Sequence, residues 1–404
     1  MQKYVRQFIV FLLLTITVVT VSSCITAGEV QSSSSGEVAT TVAMTLQALA
    51  PEAAGTLNVL PQSLYFLGSD SQAVTQIYRM ERDGSTRTQL TFEPVNVWDY
   101  DVSRADGSLA YEVNNQLVLV NADGSNRRVL VDVPPDPDGR GFYSPTFSPD
   151  GQTLAYAHKG LNLYSVLTGS SSLVIEDQFE DIGDGTLLPV ETYSPESYSP
   201  DGMKLLLALG HWEVLPSHAV YYPDTNSLVR YAEVEDYIYC CSFHGGPVWS
   251  PDSSGFYGVA SVHDSAYKWG EVWKVDAASG AVTRMLKAGD GMLNLPKELH
   301  PAPDGRLYFF LGTYNNESGA FDAPVLELVR SAPDGVTDRR VLRSENFVLM
   351  DESLWAPDAS FVLVATAPAR DWGPGGGVLE LYYTDAKKEV VWLAPSARLM
   401  KWGP

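Results

Sequence analysis

The sequence predicts an all-β fold, a ring of seven four-stranded sheets closed by its own C-terminal strand. Three observations predict it. A turn phrase recurs along most of the chain at a period near fifty residues. Each recurrence lies between short apolar runs with the alternation of half-buried strands. The last residues, "ARLMKWGP" (Ala397 to Pro404), end partway through that same phrase.

The phrase reads "FSPDGQTLAY" from Phe147, "YSPDGMKLLLAL" from Tyr198, "WSPDSSGFYGVA" from Trp249, "PAPDGRLYFFL" from Pro301 and "WAPDASFVLVA" from Trp355. A looser copy, "VSRADGSLAYEV", begins at Val102. Its aspartates stand at positions 106, 150, 201, 252, 304 and 358, spaced by 44, 51, 51, 52 and 54. Proline sets φ for a turn, aspartate bonds nearby backbone, and glycine accepts positive φ. Each copy therefore encodes a hairpin. A second hairpin follows in most copies, as in "QLVLVNADGSNRRVLV" (Gln116 to Val131) and "EVWKVDAASGAVTRML" (Glu271 to Leu286). Four strands per fifty-residue repeat describe the blade of a β-propeller.

Ahead of the first full copy, "PQSLYFLGSD" (Pro61 to Asp70) and "QIYRMERDGSTRTQLT" (Gln76 to Thr91) match the second, third and fourth strands of a blade. The innermost strand is missing there, and the C-terminus supplies a match. Trp402 occupies the slot of Phe147, Tyr198, Trp249 and Trp355, and Pro404 that of Pro149 and Pro200. The tail is thus expected to complete the first blade; "GTLNVL" (Gly55 to Leu60) is the competing candidate for that strand. The count is seven blades, at about 61–92 with 397–404, 97–131, 144–175, 194–231, 246–286, 297–343 and 352–394. Six or eight are the alternatives.

Three segments organise the 404 residues. Residues 1–23 carry Lys3 and Arg6 before the apolar stretch from Phe8 to Val21, which is shorter than the ~20 residues of a membrane span and suits a secretory signal. "VSSC" (Val21 to Cys24) resembles the bacterial lipobox, which implies lipidation of Cys24 and an extracytoplasmic, membrane-held protein at the cell envelope. Residues 24–57, rich in serine and other small residues, cannot bury enough apolar surface to order themselves and read as a tether. Residues 58–404 form the propeller. With 49 acidic against 27 basic side chains, the chain argues against binding nucleic acid, whose phosphates call for clustered Lys and Arg. A monomer is expected, with no required cofactor.

The "SPDG…LAY" repeat resembles the WD40-like propeller repeat of the TolB family over nearly all of residues 61–404. Such repeats also form the propellers of prolyl-oligopeptidase-type peptidases and occur in lipoproteins without assigned activity. The resemblance implies the fold and carries little about function. The chain departs from TolB in its lipobox, in lacking a recognisable α/β domain before the repeats, and in having seven rather than six recognisable blades. It contains no Gly-x-Ser-x-Gly elbow and no residues to build a hydrolase domain.

Strand order assigns the blade-to-blade connections and the second-to-third strand loops to one face, where loops vary as functional loops do. Its aromatic residues Trp98, Tyr143, Trp212, Tyr237, Tyr267, Trp269, Tyr314 and Trp372 are candidates for recognising a protein, peptide or glycan, with packing between blades as the competing role. His211, His218, His244, His263 and His300 fall in or near the same face. The enzyme alternative combines His211, His244 and His263 with a transition metal, and Glu213 or Asp264 as acid or base, on an extracellular polymer. It is drawn from resemblance to oligogalacturonate lyase, a related propeller with a histidine-based metal site. The acidic stretch "EDQFEDIGDG" (Glu176 to Gly185) reads as a solvated loop, with calcium at Asp181 and Asp184 as the alternative, although EF-hand spacing is absent. Cys240 and Cys241 are adjacent. They are candidates for a vicinal disulfide, which a regular strand would prevent by turning the two side chains apart.

Overall fold

A computed structural model describes residues 58–133, 143–183, 185–212, 217–231, 246–261, 270–286, 292–315, 325–345, 347, 349–367 and 376–404. Residues 1–57, where the expected signal, Cys24 and tether fall, and Cys240 and Cys241 lie outside these residues. Every regular element described is a strand, and the strands pair antiparallel in six sheets, four of them four-stranded, one five-stranded and one of seven strands in which Val391–Trp402 joins two groups of four. In order along the chain the innermost strands are Val97–Val102, Thr146–Phe147, Leu187–Tyr198, Val248–Trp249, Met292–Pro301, Met350–Trp355 and the last part of Val391–Trp402. Each of these touches or bonds to the next, and Met350–Trp355 and Val97–Val102 both touch Val391–Trp402, so the ring returns on itself.

The local cause is the turn phrase. In "SPDG" the serine hydroxyl donates to the aspartate carboxylate, at 2.6 Å for Ser148–Asp150 and for Ser250–Asp252. The carboxylate accepts the backbone N–H two residues on, as Asp150 does from Gln152. The serine oxygen accepts the N–H of the following strand, Thr153 or Lys204. Gly151 holds φ at +68°, and a Cβ there would sit 2.6 Å from Ser103 Oγ. The hairpin is thus closed by its own side chains, through bonds that span at most five residues.

The core is divided among seven apolar seams, each drawn from two successive blades. Leu64 and Phe66 face the seam shared with Phe361, Leu363 and Leu379 of the last blade. Tyr65 and Leu67, alternating with them, face the seam shared with Tyr100, Leu109 and Tyr111 of the second. Inner strands of a blade are therefore covered on both faces, and Leu109–Val113 is buried at every residue. This accounts for near-continuous apolar runs such as "LYFLG" and "LLLAL" where a one-faced strand would alternate.

Closure follows the expectation from the C-terminus. Val391–Trp402 pairs with Gly377–Tyr383 through Val391, Trp392, Ala394 and Ala397, then with Leu64–Ser69 through Trp402, Lys401 and Arg398. One strand is thereby outermost in the last blade and innermost in the first. The competing candidate does not form that strand: the N–H groups of Val59 and Leu60 donate to Arg82 O instead. Trp402 is buried in the repeat's aromatic slot and its indole donates to Trp355 O at 2.7 Å. Trp355 donates likewise to Glu298 O, and Trp249 to Ser197 O. The slot's tryptophans are blade-to-blade ties. Gly403 replaces the usual serine because the Tyr65 ring fills the space, 2.2 Å from where a Cβ would lie.

One departure from expectation concerns the acidic stretch. Gln178–Asp181 is a strand, paired with the first residues of Leu187–Tyr198 as a fifth strand of the fourth sheet. Gly183 and Gly185, at φ +101° and +83°, allow the tight reversal, and Asp181 accepts the Gly183 N–H.

Removing residues 397–404 would expose the edge of Leu64–Ser69 and open a seam. A truncated chain is expected to melt well below the intact one. Trp402→Ala should cost about 3–5 kcal/mol, or roughly 4–7 °C in Tm for a domain of this size, read by differential scanning calorimetry.

Candidate functional site in the central channel

The innermost strands carry a shared irregularity just before the aromatic slot. Their pairing with the second strand shifts register between Val97 and Asp99, Pro195 and Ser197, Lys297 and His300, and Met350 and Glu352. The closing strand shifts likewise opposite Tyr65 and Leu67. Ser144, Glu298 and Leu399, each three positions before the slot, hold φ at +44°, +53° and +48°. Bulges of this kind re-aim side chains.

The re-aimed positions gather the polar groups. Asp99, Glu298 and Glu352 all stand three residues before the slot, and Lys401 stands one before. Lys401 Nζ lies 3.0 Å from Asp101 Oδ1 and 5.5 Å from the centre of the Tyr100 ring. Asp101 also accepts the Phe147 N–H at 2.7 Å, and Tyr100 donates to Leu399 O at 2.7 Å. Glu352 accepts the N–H groups of Leu399 and Met400 at 2.5 and 2.6 Å. These bonds tie the bulge of the closing strand to blades on either side of it.

Burial dominates the electrostatics. It pushes Glu352 up to about 7, against the two N–H donors and with help from the Glu298 and Asp351 charges. Burial likewise raises Asp99, opposed chiefly by Lys401, and raises Glu298, opposed chiefly by the Ser353 hydroxyl. Burial works to lower Lys401, but Asp101 and Asp99 outweigh it and its pKa stands above the ordinary value.

A cavity of about 290 Å³ opens beside this cluster. Its polar lining is Asp99, Ser144, Thr146, Glu196, Ser197 and Lys401, and its walls include Pro145, Pro195 and Pro247. Every lining residue stands one to three positions before the slot in one of five consecutive blades. Glu196 is held from behind by His218, whose Nε2 lies 3.2 Å from Glu196 Oε1 and whose Nδ1 lies 3.2 Å from the Tyr231 hydroxyl. Glu196 Oε2 and Ser197 Oγ are buried and have no hydrogen-bond partner in the protein.

The residues singled out from sequence are placed as follows. Trp98 is half-buried beside Asp99 on its inner strand. Tyr143 is 3% exposed and belongs to the seam of the second and third blades, its hydroxyl bonded to Asn115 O, so it serves packing. Trp212 is 46% exposed and stacks on His211 at 6.1 Å. Tyr314 lies in the strand Leu307–Asn315. Tyr237, Tyr267, Trp269, Trp372, His244, His263, Glu213 and Asp264 lie outside the described residues. His218 braces Glu196, and His300 stacks on Trp355 at 5.5 Å with burial lowering its pKa to about 4. Among the described residues no three His, Cys, Asp or Glu side chains gather as metal ligands. Asp99, Glu196, Lys401, Glu298 and Glu352 escaped sequence reasoning. Their signal was register: "WDYDVS", "ESYS", "KELHPA", "DESLWA" and "MKWG" all place charge just upstream of the slot.

No family model and no curated protein matches this chain. Solved structures do. Prolyl oligopeptidase B from Galerina marginata is similar with a TM-score of 0.54 at 13% identity, over 83% of this chain and 49% of that one. Oligogalacturonate lyase from Vibrio parahaemolyticus is similar at 0.52 and 12%, over 82% and 84%. TolB from Acinetobacter baumannii matches at 0.43 and 15%, over 84% and 82%. This chain spans about half the length of the peptidase. At these identities the likeness is one of fold, and it agrees with the strand pairing: the chain is a β-propeller.

Glu352 has a folded pKa above its ordinary 4.5. The native state therefore binds the proton more tightly, and the contribution to stability is fullest below about 4.5 and is lost as pH rises toward 7. Relative to Glu352→Gln, which removes the titration and adds a constant offset, the wild type should lose on the order of 1–3 kcal/mol across that window, measured by denaturant unfolding at stepped pH. A pH-independent difference would refute the assignment.

Proposed function

We propose that this protein is a lipid-anchored, extracytoplasmic β-propeller that acts as a binding platform for a protein, peptide or glycan at the bacterial cell envelope, with its recognition site at the channel cavity. The observation that carries this reading is the construction of that cavity. Five blades contribute residues drawn from the same three repeat positions, and three of these inner strands shift register there. Glu196 is fixed from behind by His218 and Tyr231. Lys401 is fixed by Asp101. Donors and acceptors spaced around proline walls suit the hydroxyls of a sugar or the amides of a peptide. The anchoring half of the reading is supported by Lys3, Arg6, the apolar stretch to Val21 and the lipobox-like "VSSC". The surplus of 22 negative charges suits an exposed, soluble domain with little attraction to anionic lipid.

Two outcomes test the proposal. Labelled palmitate should appear on the wild-type chain and be absent from Cys24→Ser, which should leave the membrane fraction. On glycan and peptide arrays, probes retained by the wild type should be lost with Glu196→Gln or Lys401→Met while circular dichroism stays unchanged. Full retention by both variants would remove the cavity from the reading.

A further inference from the structure

The hairpin that sequence reading took for a loop carries features unused by the channel. Gln178–Asp181 stands at the end of the only five-stranded sheet among the described residues, and all four residues are exposed. Its inner side pairs with Leu187–Glu191, and no strand among the described residues pairs with its outer side. The hairpin closes with Ile182 N–H donating to Thr186 O. Alternation from that bond makes Glu180 and Leu188 a hydrogen-bonded pair, and Phe179 and Pro189 a non-bonded one. Pro189 has no N–H to offer, which agrees. Phe179 and Asp181 therefore turn their backbone N–H and C=O groups outward.

Apolar and charged side chains concentrate at the same edge. Phe179 is 51% exposed, Ile182 54% and Leu187 61%. Phe179 and Leu187 share one face of the hairpin by register. Trp212, also exposed, donates its backbone N–H to Pro189 O at 2.9 Å and so lies alongside. Glu176, Asp177, Glu180 and Asp181 fall within six residues, and no Lys or Arg occurs from 160 to 203. Among the described residues neither Glu180 nor Asp181 is in an ion pair. Edges commonly repel partners by carrying lysine. This one repels a second copy of itself and attracts the opposite charge.

We infer that Gln178–Asp181 is a docking edge for an extended, lysine- or arginine-rich peptide segment of a partner protein. The segment adds as a further strand, its apolar side chains resting on Phe179 and Leu187 and its cations on the opposite face beside Glu180, with Asp181 adding negative charge at the edge. This rests on the binding-platform reading but not on the channel cavity.

The test uses the full-length chain in detergent and a fluorescein-labelled peptide of alternating lysine and valine, followed by anisotropy. The wild type should bind it, more weakly as salt rises, and should ignore the glutamate–valine counterpart. Glu180→Lys with Asp181→Lys should lose at least about tenfold in affinity. Asp181→Pro removes an outward N–H without touching the hairpin's own ladder, so it should lose about tenfold more than Asp181→Asn. Thermal melts identify any variant that unfolds, and Asp181→Asn keeps the comparison valid. No binding by the wild type, equal losses for Asp181→Pro and Asp181→Asn, or self-association abolished by the charge reversal would each overturn the inference. Peptide binding that survives Glu196→Gln separates this edge from the channel cavity, whose failure would leave it standing.

Discussion

Burial of the inner strands on both faces is the constraint on which this molecule depends. A sheet whose second and third strands are apolar on either side cannot stop at an open seam. Each blade covers one face of the next, and the seventh must find the first. The seam of Leu64, Phe66, Leu363 and Leu379 is where this is met, and the strand Val391–Trp402 crosses it as a covalent link. Neither terminal blade is complete without that strand. The cooperativity of the ring therefore runs through a segment of twelve residues.

The clasp and the channel share their parts. Lys401 helps fasten the closing strand through Asp101 and also lines the cavity. Glu352 caps the backbone of Leu399 and Met400 while sitting among other carboxylates. Such bonds hold polar side chains in fixed rotamers at the centre of the ring, which is what a recognition site needs. The same arrangement keeps carboxylates poorly hydrated, so structural economy and a perturbed proton affinity arise from one cause.

Irregularity is placed with equal consistency. Hairpins at the turn face are locked by Ser–Asp side-chain bonds, whereas five of the inner strands shift register toward their opposite end. Positive φ at Ser144, Glu298 and Leu399 occurs at one repeat position. Positive φ also occurs in turns elsewhere, at Ser253 and Ala359 for example, but its recurrence at this inner-strand position in three blades makes the bulge a repeated feature of the scaffold. The extra hairpin at Gln178–Asp181 is the other place where the repeat is broken, and it too lies outside the turn face.

What could be read from residues alone was what local chemistry dictates. "SPDG" specifies its turn through bonds spanning five residues, so the repeat and the hairpins were legible. Trp402 and Pro404 revealed the clasp because they repeat a phrase spelled out elsewhere. The acidic hairpin was misread as a loop because its glutamates and aspartates mask a strand that only pairing with Leu187–Glu191 stabilises. The exposed aromatics drew attention as recognition residues, yet Tyr143 went to a seam, since a large ring beside an apolar face gains more by burial. The channel cluster was decided by tertiary structure alone. Asp99, Glu196, Glu352 and Lys401 are separated by scores of residues and meet only because inner strands converge on one axis and bulge there. Their proton affinities follow from enclosure that no single repeat contains.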